Sequence, residues 1–125
     1  MLIGELGRAG PGLPRVASAA EAGLDEATDV VVTDHHRPEL GDVLQEVLAL
    51  PTRSVGLMGS PRHPAPHVPA LRDRGVSEDD IARVQRPIGL DIGSRSAGEI
   101  AVSTVGGLLA ARSGRPGGFY DVRLR

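Results

Sequence analysis

Glycine, serine and arginine recur together in two short segments that could bind an anion. Gly59-Ser60-Pro61-Arg62-His63 follows an apolar run, and Gly93-Ser94-Arg95-Ser96 precedes a predicted helix. Small residues let a ligand approach the backbone, arginine pairs with phosphate oxygens, and the free amides of a helix N-terminus attract negative charge. A third segment, Thr33-Asp34-His35-His36-Arg37, places a carboxylate and two imidazoles after another apolar run. The three segments predict a site for a phosphate-bearing or otherwise anionic ligand.

The periodicity of the apolar residues predicts the elements that would position these segments. The valine run 30–32 predicts a strand buried on both faces, residues 54–58 predict a second buried strand, and helical spacing over 40–48 predicts a helix that Pro51 stops. A strand, a helix and a strand in this order imply parallel strands joined by a right-handed crossover. Because ligands bind at the carboxyl ends of such strands, an α/β fold with a small parallel sheet between helices is expected to gather the segments.

Shorter elements are predicted between the second strand and the third segment of the site. A helix ends at Gly75, and Ser77 has the chemistry of an N-cap for another helix, in which Ile81 and Val84 share one face. The apolar stretch PIGLDIG (87–93) predicts a short strand or a tightly packed loop.

A long helix is predicted over roughly residues 97–112. Ser96 and Glu99 have the spacing of a capping box in front of it. Gly106 and Gly107 in its interior are costly in a helix and therefore predict a close backbone approach. The residues that mark its expected apolar stripe are Ala101, Val105, Leu108, Leu109 and Arg112.

Several of the site residues also have an ordinary structural interpretation. Asp34 can end a strand by bonding nearby amides, and Ser96 is expected to cap a helix. If the chain is extended at His35 and His36, their side chains point in opposite directions and only one faces a given ligand. Ser60 lacks the glycine-x-serine-x-glycine elbow of a nucleophile, so no catalytic residue is predicted.

A metal site is an alternative for the histidine-bearing segments. The side chains of suitable type are those of Asp34, His35, His36, His63 and His67. His63 and His67 are four residues apart, but prolines lie between them and oppose the helix that would align them. Without a second spaced motif, no metal ligand is predicted.

The composition excludes several classes of function. A net charge of −2 and only two aromatic residues, Phe119 and Tyr120, exclude a basic nucleic-acid binder and a base-stacking surface. All 14 basic residues are arginine and cysteine is absent, which excludes a Schiff-base lysine, a thiolate nucleophile and sulfur-ligated metal. No apolar stretch reaches about 18 residues and no signal peptide is readable, so we expect a cytoplasmic protein that does not act at a membrane.

Three segments of the chain resemble one known family. VVVTDHHRPEL (30–40), GLMGSPRH (56–63) and LRDRGVSEDDIARVQRPIGLDIGSRSAGEIAVST (71–104) are similar, in this order, to the Rossmann-like C-terminal domain of the XdhC/CoxI proteins. PIGLDIG, followed by glutamate-isoleucine-alanine, is the most specific part. The resemblance implies a Rossmann-like three-layer sandwich over 16–114, with an irregular leader at 1–15 and a tail at 115–125.

The resemblance implies an accessory factor in the maturation of molybdenum hydroxylases such as xanthine dehydrogenase and carbon monoxide dehydrogenase. A member of this kind binds molybdenum cofactor, protects it, supports its sulfuration and delivers it to the apoenzyme, so a carrier rather than an enzyme is expected. The phosphate and the dithiolene-bound metal of that cofactor suit an anionic site. The positions where family motifs and strand ends together imply cofactor contacts are Asp34, His35, Gly59, Ser60, Arg62, His63, Gly93, Ser94, Arg95 and Ser96.

The chain departs from the family pattern at its beginning. Family members usually begin this domain with a strand, a glycine-rich turn containing histidine, and a helix, and residues 1–15 do not match that unit. Many members also carry a separate N-terminal domain with a cysteine used in cofactor handling, whereas this chain has no cysteine. Because loss of the first strand–helix unit would uncover a sheet edge, a homodimer or a companion XdhC-like chain is expected.

Two other functions stay open on the sequence. A Rossmann-like sheet can bind NAD(P) or another nucleotide, although the missing glycine-rich turn argues against that function. Alternatively, the chain is a structural half of a split protein and assembles with another chain.

Overall fold

A computed structural model of the chain describes residues 2–3, 12–34 and 38–121. Its contacts form two compact units, Met1–Pro87 and Ile88–Arg125. The first unit contains the sheet and the hydrophobic core, and the second contains the long helix. The boundary falls within the domain predicted over residues 16–114.

Three parallel strands form the sheet of the first unit. Two short strands, β1 (Leu2–Ile3) and β2 (Arg15–Val16), pair separately and precede it in the chain. The sheet itself has the order β3-β4-β5, in which β3 is Asp29–Val32, β4 is Ser54–Leu57 and β5 is Val84–Gln85. Both strand pairs run parallel, so the predicted α/β, Rossmann-like fold with a small parallel sheet is confirmed.

Three helices of the first unit follow the predicted patterns. α1 (Leu40–Leu48) connects β3 to β4, and its apolar residues are buried at helical spacing. α2 (His67–Arg72) and α3 (Glu78–Ala82) connect β4 to β5. The Ser77 hydroxyl accepts a hydrogen bond from the Asp80 amide at 3.2 Å, which confirms the predicted cap. The largest fully buried side chains, which form the centre of the core, are Leu44, Val47, Val55, Leu57 and Leu71.

The first strand is less buried than its sequence predicts. Residues of β3 are half-buried throughout, whereas Val55, Gly56 and Leu57 of β4 are buried. The reason is position, because β3 lies at one side of the sheet and β4 lies at its centre. Within the described residues, β3 pairs only with β4. The expected homodimer or companion chain at this edge stays a prediction.

The third strand lies earlier in the chain than predicted. Val84 was assigned to a helical face, but α3 ends at Ala82, and Val84 is a buried residue of β5. The stretch 87–93 is a loop, as one of its two predicted alternatives has it. The two residues of β5 are too few for an alternating pattern to be visible in the sequence.

The second unit is built around α4 (Ala97–Ser113), which confirms the predicted long helix. The predicted close approach at its glycines is also confirmed. A Cβ on Gly107 would lie 3.0 Å from the Gly89 Cα, and one on Gly106 would lie 3.0 Å from the Leu90 Cδ1. The Ser103 hydroxyl bonds the Leu90 carbonyl at 2.6 Å on the same side of the helix.

The predicted apolar stripe of α4 is not its buried face. Val105 and Leu109 are exposed, and the buried residues of the helix are Ser103 and Thr104. The prediction is wrong because the glycines and Ser103 allow α4 to approach the 89–90 loop closely. The small residues, rather than the apolar ones, therefore determine which face of the helix packs against that loop. No helix among the described residues is long and apolar enough to cross a bilayer.

The two ends of the chain are described only in part. Residues 4–11 of the predicted leader lie outside the described residues, as do the last four residues of the tail. Phe119 and Tyr120 are exposed and lie outside any strand.

Candidate functional site

The loop after β4 brings four of the predicted site residues into one turn. The Ser60 hydroxyl accepts a hydrogen bond from the Arg62 amide at 3.2 Å, and the Ser60 carbonyl accepts one from the His63 amide at 3.3 Å. Gly59 and Ser60 are half-buried, whereas Arg62 and His63 are exposed. Ser60 thus organises the turn with its side chain, and the turn lies directly at the carboxyl end of the central strand.

Arg86 holds this turn from the end of the neighbouring strand. Its guanidinium donates from Nη2 to the Ser60 carbonyl at 3.1 Å and from Nη1 to the His63 carbonyl at 3.3 Å. The guanidinium lies directly over Gly59, where a Cβ would be 2.7 Å from Nε and from Nη2. Any larger residue at position 59 would therefore displace Arg86.

His67, the first residue of α2, is a buried polar side chain that follows this turn in the chain. It is only 5% exposed, and its Nδ1 has no hydrogen-bond partner; the Nε of Arg86 is also buried without one. Burial lowers the pKa of His67, and the positive charge of Arg86 lowers it further. The imidazole is therefore neutral near pH 7 and offers a donor or an acceptor rather than a charge.

Only two residues of the predicted site segment after β3, Thr33 and Asp34, are described by the structure. Thr33 and Asp34 are exposed directly beyond the end of the strand. Asp34 is engaged in an interaction, and its role stays a prediction. His35 lies outside the described residues.

The Gly93–Ser96 segment belongs to the second unit, where the chain supplies its own anion. The Glu99 Oε1 accepts hydrogen bonds from the amides of Arg95 at 2.8 Å and Ser96 at 3.4 Å, and the Ser96 hydroxyl accepts one from the Glu99 amide at 3.2 Å. Ser94 donates to the Glu99 carbonyl at 3.1 Å. These backbone hydrogen bonds lower the pKa of Glu99, the Arg95 amide first. The predicted capping box is confirmed, and it occupies amides that the sequence offered to a ligand.

Sequence reasoning missed Arg86, which is the residue most closely associated with the β4 turn. The rule that selects strand ends would have found it, because it follows β5 directly. One of the two predictions for residues 87–93 is a strand. The expected carboxyl end of that strand therefore lies at Gly93 rather than at Arg86. No group of three or more histidine, cysteine, aspartate or glutamate side chains within the described part of the chain is arranged to hold a metal ion.

The fold and the site define an α/β domain whose parallel sheet presents a glycine-serine turn and an arginine at the carboxyl ends of its strands. The XdhC Rossmann domain family matches residues 9–108. The chain therefore belongs to this family, as its motifs predict. It is also 32% identical over 100 residues to the uncharacterized protein YqeB of Escherichia coli (strain K12). That alignment covers 80% of this chain and 18% of YqeB, so the chain spans less than a fifth of the length of this relative.

Proposed function

We propose that the chain is an accessory factor in the maturation of molybdenum hydroxylases and binds molybdenum cofactor at the carboxyl ends of its strands. The observation that carries the proposal is the match of the XdhC Rossmann domain over residues 9–108. In this proposal the chain holds the cofactor and transfers it, and this function needs no catalytic residue. A molybdenum hydroxylase apoenzyme is the proposed recipient.

The residues at the strand ends fit a phosphate-bearing pterin. The β4 turn presents small residues, and Arg62 and Arg86 give it positive charge. The unpartnered Nε of Arg86 and Nδ1 of His67 leave hydrogen-bonding capacity there. Arg62, Arg86 and the turn around Ser60 would hold the phosphate end, and the bound group would supply the molybdenum centre that the recipient enzyme uses.

The proposal is tested by mixing the purified chain with molybdenum cofactor released anaerobically from a molybdoenzyme. We expect pterin and molybdenum to co-elute with the protein at a fixed stoichiometry in gel filtration. Arg62→Gln should weaken the complex, whereas Arg72→Gln should not, because Arg72 lies in the last turn of α2 and is paired with Glu78. A folded protein that leaves the cofactor in the free fraction would remove the carrier function.

The same gel-filtration experiment with NAD(P) and with AMP in place of the cofactor tests the alternative function of nucleotide binding. Tighter binding of a nucleotide than of the pterin would favour a nucleotide-binding module instead. Absence of binding by any of these ligands, together with stable assembly on a companion chain, would favour a structural half of a split protein.

A further inference from the structure

Arg86 is the half-buried arginine for which the described part of the chain supplies no carboxylate. The other half-buried arginine with a described side chain, Arg74, bonds Asp42 at 3.0 Å. Arg53, whose side chain is as exposed as that of Arg74, and the more exposed Arg72 are also paired, with Asp29 and Glu78. Removing a cation from water is unfavourable unless an anion compensates it, so Arg86 is the position where a negative charge is missing.

The present partners of Arg86 do not replace that charge. The carbonyls of Ser60 and His63 are neutral acceptors, and their distances from the guanidinium are 3.1 and 3.3 Å. The bonds from the guanidinium to these carbonyls carry charge on the donor alone, whereas a bond from arginine to an oxyanion carries charge on both sides and can be bidentate. An oxyanion that replaced one or both carbonyls would therefore bind more strongly than they do.

A second unpartnered group independently points to a ligand at the same place. His67 is 5% exposed and its Nδ1 bonds nothing, although buried polar atoms in folded proteins nearly always have a partner. Arg86 holds the His63 carbonyl at 3.3 Å, and His67 begins α2 four residues later, so Arg86 contacts the β4–α2 connection and His67 lies at the end of it. The lowering of the His67 pKa by the charge of Arg86 agrees with this placement. A neutral imidazole with its proton on Nδ1 and a guanidinium with a spare Nε–H together offer donors to one tetrahedral anion.

We propose that Arg86 and His67 form an oxyanion site that takes the phosphate group of a phosphomonoester, with the exposed side of the 60–63 turn moving to admit it. The site is at the carboxyl ends of β4 and β5, and Gly59 is required because the guanidinium lies over its Cα. This site rests on the proposed function in one respect only: under that function, the phosphate belongs to the pterin cofactor.

The experiment titrates the ¹⁵N-labelled full chain with inorganic phosphate at constant ionic strength and follows the Arg86 Nε–H and His67 ring signals. Saturable shifts of both signals are expected, with chloride giving none. Arg86→Met should weaken phosphate binding at least tenfold. Arg74→Met, which removes a half-buried arginine that is paired with Asp42, should leave it within about twofold.

If Arg86→Met does not give a folded spectrum, Arg86→Lys is tested in its place. This variant keeps the charge but not the forked geometry of the guanidinium, so it should bind phosphate severalfold more weakly than wild type. Shifts that do not saturate, or that persist equally in the Arg86 variants, would overturn the site. Phosphate binding without cofactor binding would instead remove the proposed function and leave the site. Cofactor binding that Arg86→Met does not change would remove the site and leave the function.

Discussion

Two half-buried arginines of the first unit lie over glycines in a similar way but differ in what compensates their charge. Arg74 lies over Gly41 at the start of α1 and donates to the Ala70 carbonyl at 2.9 Å and to the Asp42 carboxylate at 3.0 Å. Arg86 lies over Gly59 and, among the residues that the structure describes, donates only to carbonyls. The same arrangement of guanidinium over glycine stabilises packing where the chain supplies the anion. Where the described residues supply none, the proposed oxyanion site follows from the missing charge.

The largest expected effect is a difference in stabilisation by phosphate. A ligand that binds only the folded state at 100 times its Kd adds about 2.7 kcal/mol to the free energy of unfolding. Wild type and Arg74→Met should both gain this amount in inorganic phosphate relative to chloride, and Arg86→Met, with an affinity at least tenfold lower, should gain at most about 1.4 kcal/mol. Thermal denaturation at matched ionic strength measures the gain. An equal gain in Arg86→Met would mean that the two arginines do not differ in function.

The glycine under each guanidinium provides the next test. Gly59→Ala places a methyl group 2.7 Å from the Nε and Nη2 of Arg86, so the guanidinium must move. We expect phosphate affinity to fall by about tenfold, or ~1.4 kcal/mol. Gly41→Ala displaces Arg74 instead and should leave the affinity unchanged. Isothermal titration calorimetry on both variants checks this, and an equal loss of affinity in both would point to a general disturbance of the fold.

Removing the arginines should separate their contributions to stability. Arg74→Met loses the bonds to Asp42 and Ala70 and should lower the free energy of unfolding by about 1 kcal/mol, a value kept small because the Asp42 side chain is 71% exposed. Arg86→Met also loses two hydrogen bonds but removes an uncompensated charge, so the change should stay within about 0.5 kcal/mol. Urea unfolding in chloride buffer provides the comparison. If Arg86→Met is the more destabilising variant, Arg86 is a structural clamp.

The smallest effect concerns the titration of His67. Because Arg86 lowers the pKa of His67, Arg86→Met should raise that pKa, and Arg74→Met should leave it where it is. A histidine whose pKa is lowered in the folded state takes up protons more readily when unfolded, so its contribution to stability is present above about pH 6.5 and is lost as the pH falls. This acid-induced loss should be smaller in Arg86→Met. NMR titration of the ring signals would show whether the arginine is close enough to act.

Sequence patterns predicted most of the elements but only part of the site. Helix α1, the two main strands and both serine caps depend on residues within about one helical turn or on strand alternation, and the structure confirms them. The β4 turn was found because it follows a readable strand. Arg86 was missed because β5 has only two residues, and no period can be recognised in two residues.

The sequence by itself determined the order of strand, helix and strand, the parallel sheet, and the membership in the XdhC Rossmann domain family. Each of these depends on local spacing or on motifs of adjacent residues. Only the tertiary structure decided which of two similar arginines is paired, and which face of α4 packs. Charge compensation depends on whether folding brings a carboxylate within about 4 Å of a guanidinium, and a linear pattern carries no information about that distance.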